Sequence, residues 1–377
     1  MRILELGKFY PPERGGMETL LQLWTEGFAA RGHDVTCVVA NRGAKTVRET
    51  HGRLRIERLA RFGEAFSVSF CPAYPGATRR HPAEIIHAHF PNPLADLAIL
   101  RAPRETPVVV HWHSDIVRQK ALMRLYQPLQ SAMLRRATRI VVATPMHLEY
   151  SAWLAPHASK VVVIPFGLDL ARFAATPALE ARAATLRAQS RGKTVFLNVG
   201  RLVGYKGQRH AIEALPRVPE AELWIAGTGP LEDELRRLAA DLGVGDRVRF
   251  LGNVPDSDLP ALLHACDVFL FPSITPNEAF GLVFVEAMAC SKPLIACRLK
   301  SGVPYVCRSD VNGLLVSPGS SDELEVAMRT LIASPDLRSS LGQAGLKRSR
   351  EEFSLERMLD RHLELFGSLA NPVANVG

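Results

Sequence analysis

Short, wholly apolar runs alternate with amphipathic stretches and glycine-rich loops along nearly the whole chain, and this alternation restricts it to an α/β fold. The first run, Ile3 to Leu6, leads into the loop K-F-Y-P-P-E-R-G-G-M-E. A helical pattern follows, T-L-L-Q-L-W-T-E-G-F-A-A-R-G, ended by Gly32, and then a strand from Asp34 to Ala40. Strand, glycine loop, helix, strand is one βαβ unit of a parallel sheet. Glu84 to His89, Pro107 to His111 and Arg139 to Ala143 read as further strands, because apolar runs bounded by turns suit strands covered on both faces. The segment Lys160 to Phe173 starts as a strand and breaks at Pro165 and Gly167, where we place the crossing between domains. A second series begins at Val195: strand V-F-L-N-V, helix Gly207 to Leu215, strand E-L-W-I-A, helix Leu231 to Leu242, strand V-R-F-L, helix Ser257 to Ala265, strand V-F-L-F, helix Phe280 to Ala289 and strand P-L-I-A. Leu355 to Leu369 closes the chain as an amphipathic helix. The expectation is two facing doubly wound domains, 1–168 and 169–354, followed by a helix and tail, 355–377. Such sheets place ligands in a cleft outside the carboxyl ends of their strands.

A length of 377 residues agrees with two domains, and 47% apolar with 22% charged residues excludes bulk disorder. The apolar run between Asp267 and Pro272 is typical, and none approaches the roughly 20 residues of a membrane span. The opening M-R-I-L-E-L-G-K-F-Y has no apolar h-region, so a cytoplasmic location is expected. Cys37, Cys71, Cys266, Cys290, Cys297 and Cys307 contain no C-x-x-C pair and read as reduced thiols. The net charge of +8 is unevenly placed: residues 1–173 hold 23 Lys/Arg against 14 Asp/Glu, and residues 174–377 hold 23 against 24. Something acidic should meet the first half.

The most informative stretch is E-A-F-G-L-V-F-V-E, from Glu278 to Glu286. With a helix starting near Phe280, its N-terminus lies between the two acids, and a sugar or anion there meets backbone N–H donors and both carboxylates. The plainer alternative makes Glu278 a helix cap and Glu286 a solvated residue. Val283, Phe284, Val285, Ala287 and Met288 around Glu286 make a solvated face harder to arrange.

Paired glutamates with seven residues between them, preceded by F-L-F-P-S and followed by A-M-A-C-S-K-P-L-I-A, resemble the signature of the retaining glycosyltransferases of family 4. The resemblance extends through G-G-M-E at Gly15 to Glu18, H-W-H-S-D at His111 to Asp115, I-P-F-G-L-D at Ile164 to Asp169, N-V-G-R-L-V-G-Y-K-G at Asn198 to Gly207, A-G-T-G-P at Ala226 to Pro230 and N-G-L-L-V-S-P-G at Asn312 to Gly319. It implies the GT-B architecture, with two facing Rossmann-like domains and an interdomain cleft. The acceptor then meets the N-terminal domain, the nucleotide sugar meets the C-terminal one, and the tail returns to the first. It implies a retaining, metal-independent hexosyltransferase with no cofactor.

Arg201 and Lys206 match the family's diphosphate-binding pair; an Arg fork and a Lys point charge can neutralise a leaving diphosphate without a metal. Gly15 and Gly16 let backbone N–H groups approach a phosphate at a helix N-terminus, although a tight turn explains them equally well. His113 matches the active-site histidine that contacts the donor sugar. His111 is the buried one at the strand end, with the reverse registration left open, and Asp115 either orients His113 or binds acceptor. The resemblance also implies donor contacts at Asn253, Val254, Ala279, Phe280, Gly281 and Leu282, with Glu278 on sugar hydroxyls and Glu286 on the ribose. Phe166 stands where many relatives carry Asn.

Asp256-Ser257-Asp258 spells the D-x-D of a different glycosyltransferase fold, but here it reads as helix capping. H-A-H-F at His87 to Phe90 lacks a third ligand in sequence and reads as a strand-end role rather than zinc. No G-x-G-x-x-G follows the first strand, which weakens a dinucleotide redox reading. Arg118 to Arg139 holds six basic residues and no acid, with Pro128 dividing it into two helices; it suits either an anionic membrane surface or a solvated rim. S-G-V-P-Y-V and V-V-V-H-W-H-S-D-I-V-R-Q resemble bacterial mannosyl- and rhamnosyltransferases of surface polysaccharide assembly, implying GDP-mannose or a GDP-deoxyhexose and a lipid-linked saccharide acceptor. Alternatives are a UDP-hexose donor, a sugar-nucleotide epimerase, or a non-catalytic nucleotide-sugar-binding protein; no nucleic-acid partner is expected.

Overall fold

The structure, a computed structural model, describes residues 1–13, 15–65, 68–116, 120–190 and 192–370, with side chains throughout except at 65 and 120–124. The chain divides into two compact units, Met1–Gly167 with Leu355–Gly377, and Leu168–Ser354.

The strands of the first unit are β1 (Arg2–Leu6), β2 (Asp34–Ala40), β3 (Val47–His51) and β4 (Leu54–Leu59), then a separate ribbon of β5 (Glu64–Ala65) and β6 (Val68–Ser69). They continue as β7 (Ile85–Phe90), β8 (Val108–Trp112), β9 (Arg139–Val142) and β10 (Val161–Val163). The main sheet runs β10-β9-β8-β7-β1-β2-β4-β3, with every neighbouring pair parallel except β3 and β4. The strand order reverses at β1 and β7. Alternation along the strands sorts two faces. Leu4, Leu6, Ile86, Ala88, Phe90, Val110 and Trp112 join one buried cluster, in which Phe90 and Trp112 stack 3.8 Å apart. Glu5, His87, His89 and His111 alternate with them, and β1–β7 and β7–β8 register pairs Glu5 with His87 and His89 with His111. Trp24 of the first helix (Gly16–Ala30) and His362 of the C-terminal helix (Leu355–Ala370) pack against that second set.

Pro128 does not divide the basic segment: one helix spans Lys120–Arg136 with the proline inside it. A proline costs one backbone hydrogen bond there, but Met133 and Leu134 are anchored in the core. Lys160 also fixes the helix end, donating from Nζ to the carbonyls of Arg135 and Ala137 at 2.8 Å each.

The second unit is β11 (Thr194–Val199), β12 (Ala221–Ala226), β13 (Val248–Gly252), β14 (Val268–Phe271), β15 (Leu294–Cys297) and β16 (Gly313–Val316) with intervening helices. Its order is β13-β12-β11-β14-β15-β16, parallel throughout. In sequence rank this is 3-2-1-4-5-6, the doubly wound order, with its switch point between β11 and β14. All six cysteines are free and buried.

Candidate active site

At the switch point of the second unit, loops leave β11 and β14 side by side. The loop after β11 carries Arg201 and a single turn, Gly204–Lys206, and the loop after β14 carries Glu278. Gly207 lets these loops touch: its φ is +69°, and a Cβ there would lie 2.0 Å from the Pro272 carbonyl oxygen. Only glycine combines that backbone region with that approach. Ile274 N–H donates to the Tyr205 carbonyl at 2.8 Å and locks the pair of loops.

The result is an ion pair, Lys206 Nζ to Glu278 Oε2 at 2.5 Å, with both side chains mostly buried. The ammonium also lies 4.6 Å from the centroid of the Phe271 ring. Arg201 is exposed, and among the described residues no ion pair engages its guanidinium.

Glu278 therefore does not cap the following helix. That helix is Leu282–Ala289, starting two residues later than its sequence pattern predicts. Gly281, at φ +78°, occupies the N-cap position without a side-chain cap and displaces the start. The N-terminus thus has uncapped N–H groups, as an anion site requires. Glu286 lies one turn in and is half-buried; burial pushes its carboxyl up to about 7, against the pull of Arg172. Phe280 is buried, and the Ala279 carbonyl accepts from Gly302 N–H at 2.9 Å. Asn253 and Val254 follow β13, which β12 separates from β11.

The D-x-D segment behaves differently from a simple cap. Asp258 stands at the N-cap of Leu259–Ala265, but its side chain makes no capping bond and instead pairs with Arg182 at 2.8 Å. The Asp256 carbonyl accepts from Arg172 at 3.0 Å.

In the first unit, Gly15 caps and Gly16 begins the helix that follows β1; a Cβ on Gly16 would meet nothing within 4 Å. At Gly15 the Glu18 carboxylate lies close, 2.2 Å from where a Cβ would stand. His113, just after β8, is buried, with Nε2 at 3.2 Å from His89 Nδ1 and its ring stacked on Phe166, centroids 5.5 Å apart. Burial holds its pKa well below the usual histidine range. His111 is fully buried directly behind it, ring centroids 4.7 Å apart. Asp115 does not orient His113: it accepts from Trp112 Nε1 at 2.9 Å and from Ser151 Oγ at 2.8 Å.

Sequence reasoning missed the groups behind His113. Glu5 accepts from His87 Nδ1 at 3.0 Å and His89 Nε2 at 2.9 Å. Burial would raise this carboxyl, but the two imidazoles hold it down at about 2. The signal was present as polar residues at alternate positions in otherwise apolar strands, L-E-L, H-A-H and H-W-H.

Two doubly wound parallel-sheet units are the architecture of the GT-B glycosyltransferases, and the comparisons with known proteins give the same class. A family model described as "Glycosyl transferases group 1" matches residues 185–348, and one described as "Glycosyl transferase 4-like domain" matches residues 15–167. The O-antigen chain mannosyltransferase C of Escherichia coli is 32% identical, covering 98% of this chain and 99% of that one. The D-rhamnosyltransferase WbpZ of Pseudomonas aeruginosa is 36% identical, covering 72% and 70%. Among solved structures, Anabaena HepE in complex with UDP superimposes with a TM-score of 0.81 at 23% identity, covering 98% of this chain and all of that one. The chain belongs to the retaining glycosyltransferases of family 4.

Proposed function

We propose that this enzyme moves mannose, or its deoxy relative rhamnose, from a GDP-sugar to a lipid-linked saccharide during surface polysaccharide synthesis. The observation that carries the reading is the Lys206–Glu278 pair at the β11–β14 switch point. An ammonium has three donors, so Lys206 can keep Glu278 while giving its remaining N–H groups to a diphosphate. Arg201 supplies a second, bidentate cation, and together they neutralise charge growing on the leaving group without a catalytic metal. Glu278, placed by Lys206, then meets hydroxyls of the donor sugar, and Glu286 meets the ribose. Asn253 and Val254 approach the base side, and Ala279 to Leu282 offer backbone N–H groups to phosphate and sugar. In the N-terminal unit, the Gly15–Gly16 helix start is assigned to phosphate, and His113, neutral at pH 7, to hydrogen bonding with the sugar.

The choice of mannose or rhamnose over glucose is supported by the O-antigen mannosyltransferase and the rhamnosyltransferase relatives. The UDP in the HepE complex comes with a likeness that speaks to fold alone. Thermal unfolding in a panel of GDP-mannose, GDP-rhamnose, UDP-glucose, GDP and UDP tests the proposal. A ligand at 100 times its Kd stabilises by about 2.7 kcal/mol. Stabilisation by GDP and its mannosyl or rhamnosyl esters is expected; stabilisation by UDP-sugars alone would replace the donor assignment. Dependence of GDP release on added acceptor separates transfer from epimerisation.

A further inference from the structure

Behind His113 the first unit carries three imidazoles to which the proposed transfer mechanism gives no role. His87 comes from β7, His111 from β8 and His362 from the C-terminal helix, and all three are fully buried. Their ring centroids form a nearly equilateral triangle with sides of 5.8, 5.4 and 5.7 Å. One ring nitrogen from each lies within 4.8 Å of the others.

Hydrogen bonding fixes which nitrogens carry lone pairs. His87 Nδ1 donates to the Glu5 carboxylate at 3.0 Å, and His362 Nδ1 donates to the Met358 carbonyl at 2.7 Å. In the neutral form of each ring this leaves Nε2 with the lone pair, and neither Nε2 has a hydrogen-bond partner among the described residues. Both nitrogens of His111 are likewise buried without a partner. Orphaned acceptors in a dry interior are costly. The surroundings are aromatic and leave these nitrogens unpaired: Trp24, whose own Nε1–H has no partner among the described residues, lies 4.7 Å from the His111 ring, and Phe366 lies 5.3 Å from that of His87.

We propose that His87, His111 and His362 bind one zinc ion that pins the C-terminal helix to β7 and β8. Three imidazoles with a fourth position left for water suit tetrahedral zinc. The second layer has the form metal sites use, because ligating histidines donate their other N–H to a carboxylate or a backbone carbonyl. Glu5 supplies the carboxylate for His87, and its negative charge offsets part of the ion's. Zinc–nitrogen bonds of about 2.0–2.1 Å need ligand nitrogens about 3.4 Å apart, so each ring moves by less than about 1 Å. The ion sits among β7, β8 and the C-terminal helix of the first unit, whereas the diphosphate cations belong to the second. It is structural and independent of the donor assignment.

The test uses full-length, untagged protein purified without a chelating column. Elemental analysis should find one zinc per chain, and diffraction at the zinc edge should give an anomalous peak between the three rings. Refolding with Co²⁺ should produce the visible absorption of tetrahedral cobalt, and stripping the ion should lower the melting temperature by about 5 °C. His362→Phe, which keeps an aromatic ring of similar size, should lose the metal. Should that variant fail to fold, the wild-type anomalous peak decides alone. Background zinc with no cobalt spectrum, an ordered water in place of the peak, or unchanged zinc in a folded His362→Phe overturns the proposal.

Discussion

Arg201 and Lys206 are the residues on which transfer should depend most steeply. Replacing either with Ala removes charge stabilisation worth roughly 3 kcal/mol, about a hundredfold in turnover or more. Because the proposed catalytic cations are side chains, brief EDTA treatment should leave the rate unchanged; wild-type turnover in either variant would remove the diphosphate assignment. The two glutamates should separate. Glu278→Gln loses a contact to the sugar and the partner that aims Lys206, so turnover should fall more than GDP affinity. Glu286→Gln should instead weaken GDP itself, since the ribose is common to donor and product. The Glu286 carboxyl, raised by burial from 4.5 to about 7, adds a pH dependence with a definite sign. Between those values the folded chain holds a proton that the unfolded chain has lost, so this group's contribution to stability declines as pH rises through the window. Binding runs the other way: GDP should bind more tightly as pH rises through about 7, where the ribose gains a charged acceptor. Calorimetry at pH 6 and pH 8 should show that gain in the wild type and not in Glu286→Gln.

Gly207 tests whether the two loops at the β11–β14 switch point act as one element. Gly207→Ala puts a methyl group 2.0 Å from the Pro272 oxygen in a left-handed backbone. It should cost about 1–3 kcal/mol of stability and part the Lys206–Glu278 pair, lowering GDP affinity. Gly204→Ala, whose Cβ meets nothing within 4 Å, is the control and should change neither melting temperature nor affinity. The strands beside these loops were legible because V-F-L-N-V, V-F-L-F and P-L-I-A are buried on both faces and leave no alternative reading. Glu278 and Glu286 were legible as a motif. What escaped was set by tertiary contact. The helix after Glu278 starts at Leu282 because Gly281 adopts a positive φ, and Pro128 lies inside a helix because Met133 and Leu134 hold the turn beyond it. The β3–β4 hairpin was missed because β3 is exposed and charged, and because in β4 the buried Leu54, Ile56 and Leu59 are interrupted by charged residues and form no apolar run. H-A-H showed no third imidazole beside it in sequence because the neighbouring rings, His111 and His362, come from β8 and from the C-terminal helix.

The uneven charge of the molecule bears on where it works. The proposed donor residues of the Lys206–Glu278 site lie in the second unit, which holds no basic excess, so on that proposal nucleotide binding does not account for the positive first half. An acceptor carried on a polyisoprenyl diphosphate at an anionic membrane would. Among the described residues no helix is long and apolar enough to cross a membrane. The helix Lys120–Arg136 is the candidate contact, although fewer of its neighbourhood's six cations are available than the sequence suggests. Arg136 donates to the carbonyls of Pro103 and Thr106 at 2.7 and 2.9 Å, and Arg139 donates to that of Thr138 at 2.9 Å. Arg135 is exposed; Arg118 lies outside the described residues, as do the side chains of Lys120 and Arg124. Four cations at about 1 kcal/mol each still give reversible binding to an anionic surface. Leu125, 80% exposed on the same helix, adds an apolar group that membrane insertion would bury. We expect the protein to sediment with phosphatidylglycerol vesicles at low salt and to leave them as salt screens the attraction. Changing Arg118, Lys120 and Arg124 to Glu should abolish sedimentation, and Leu125→Ser should weaken it. Neither change should alter thermal stabilisation by GDP, whose proposed contacts are in the other unit. A wild-type protein that ignores these vesicles at low salt would instead indicate a soluble acceptor and a basic helix that is only a solvated rim.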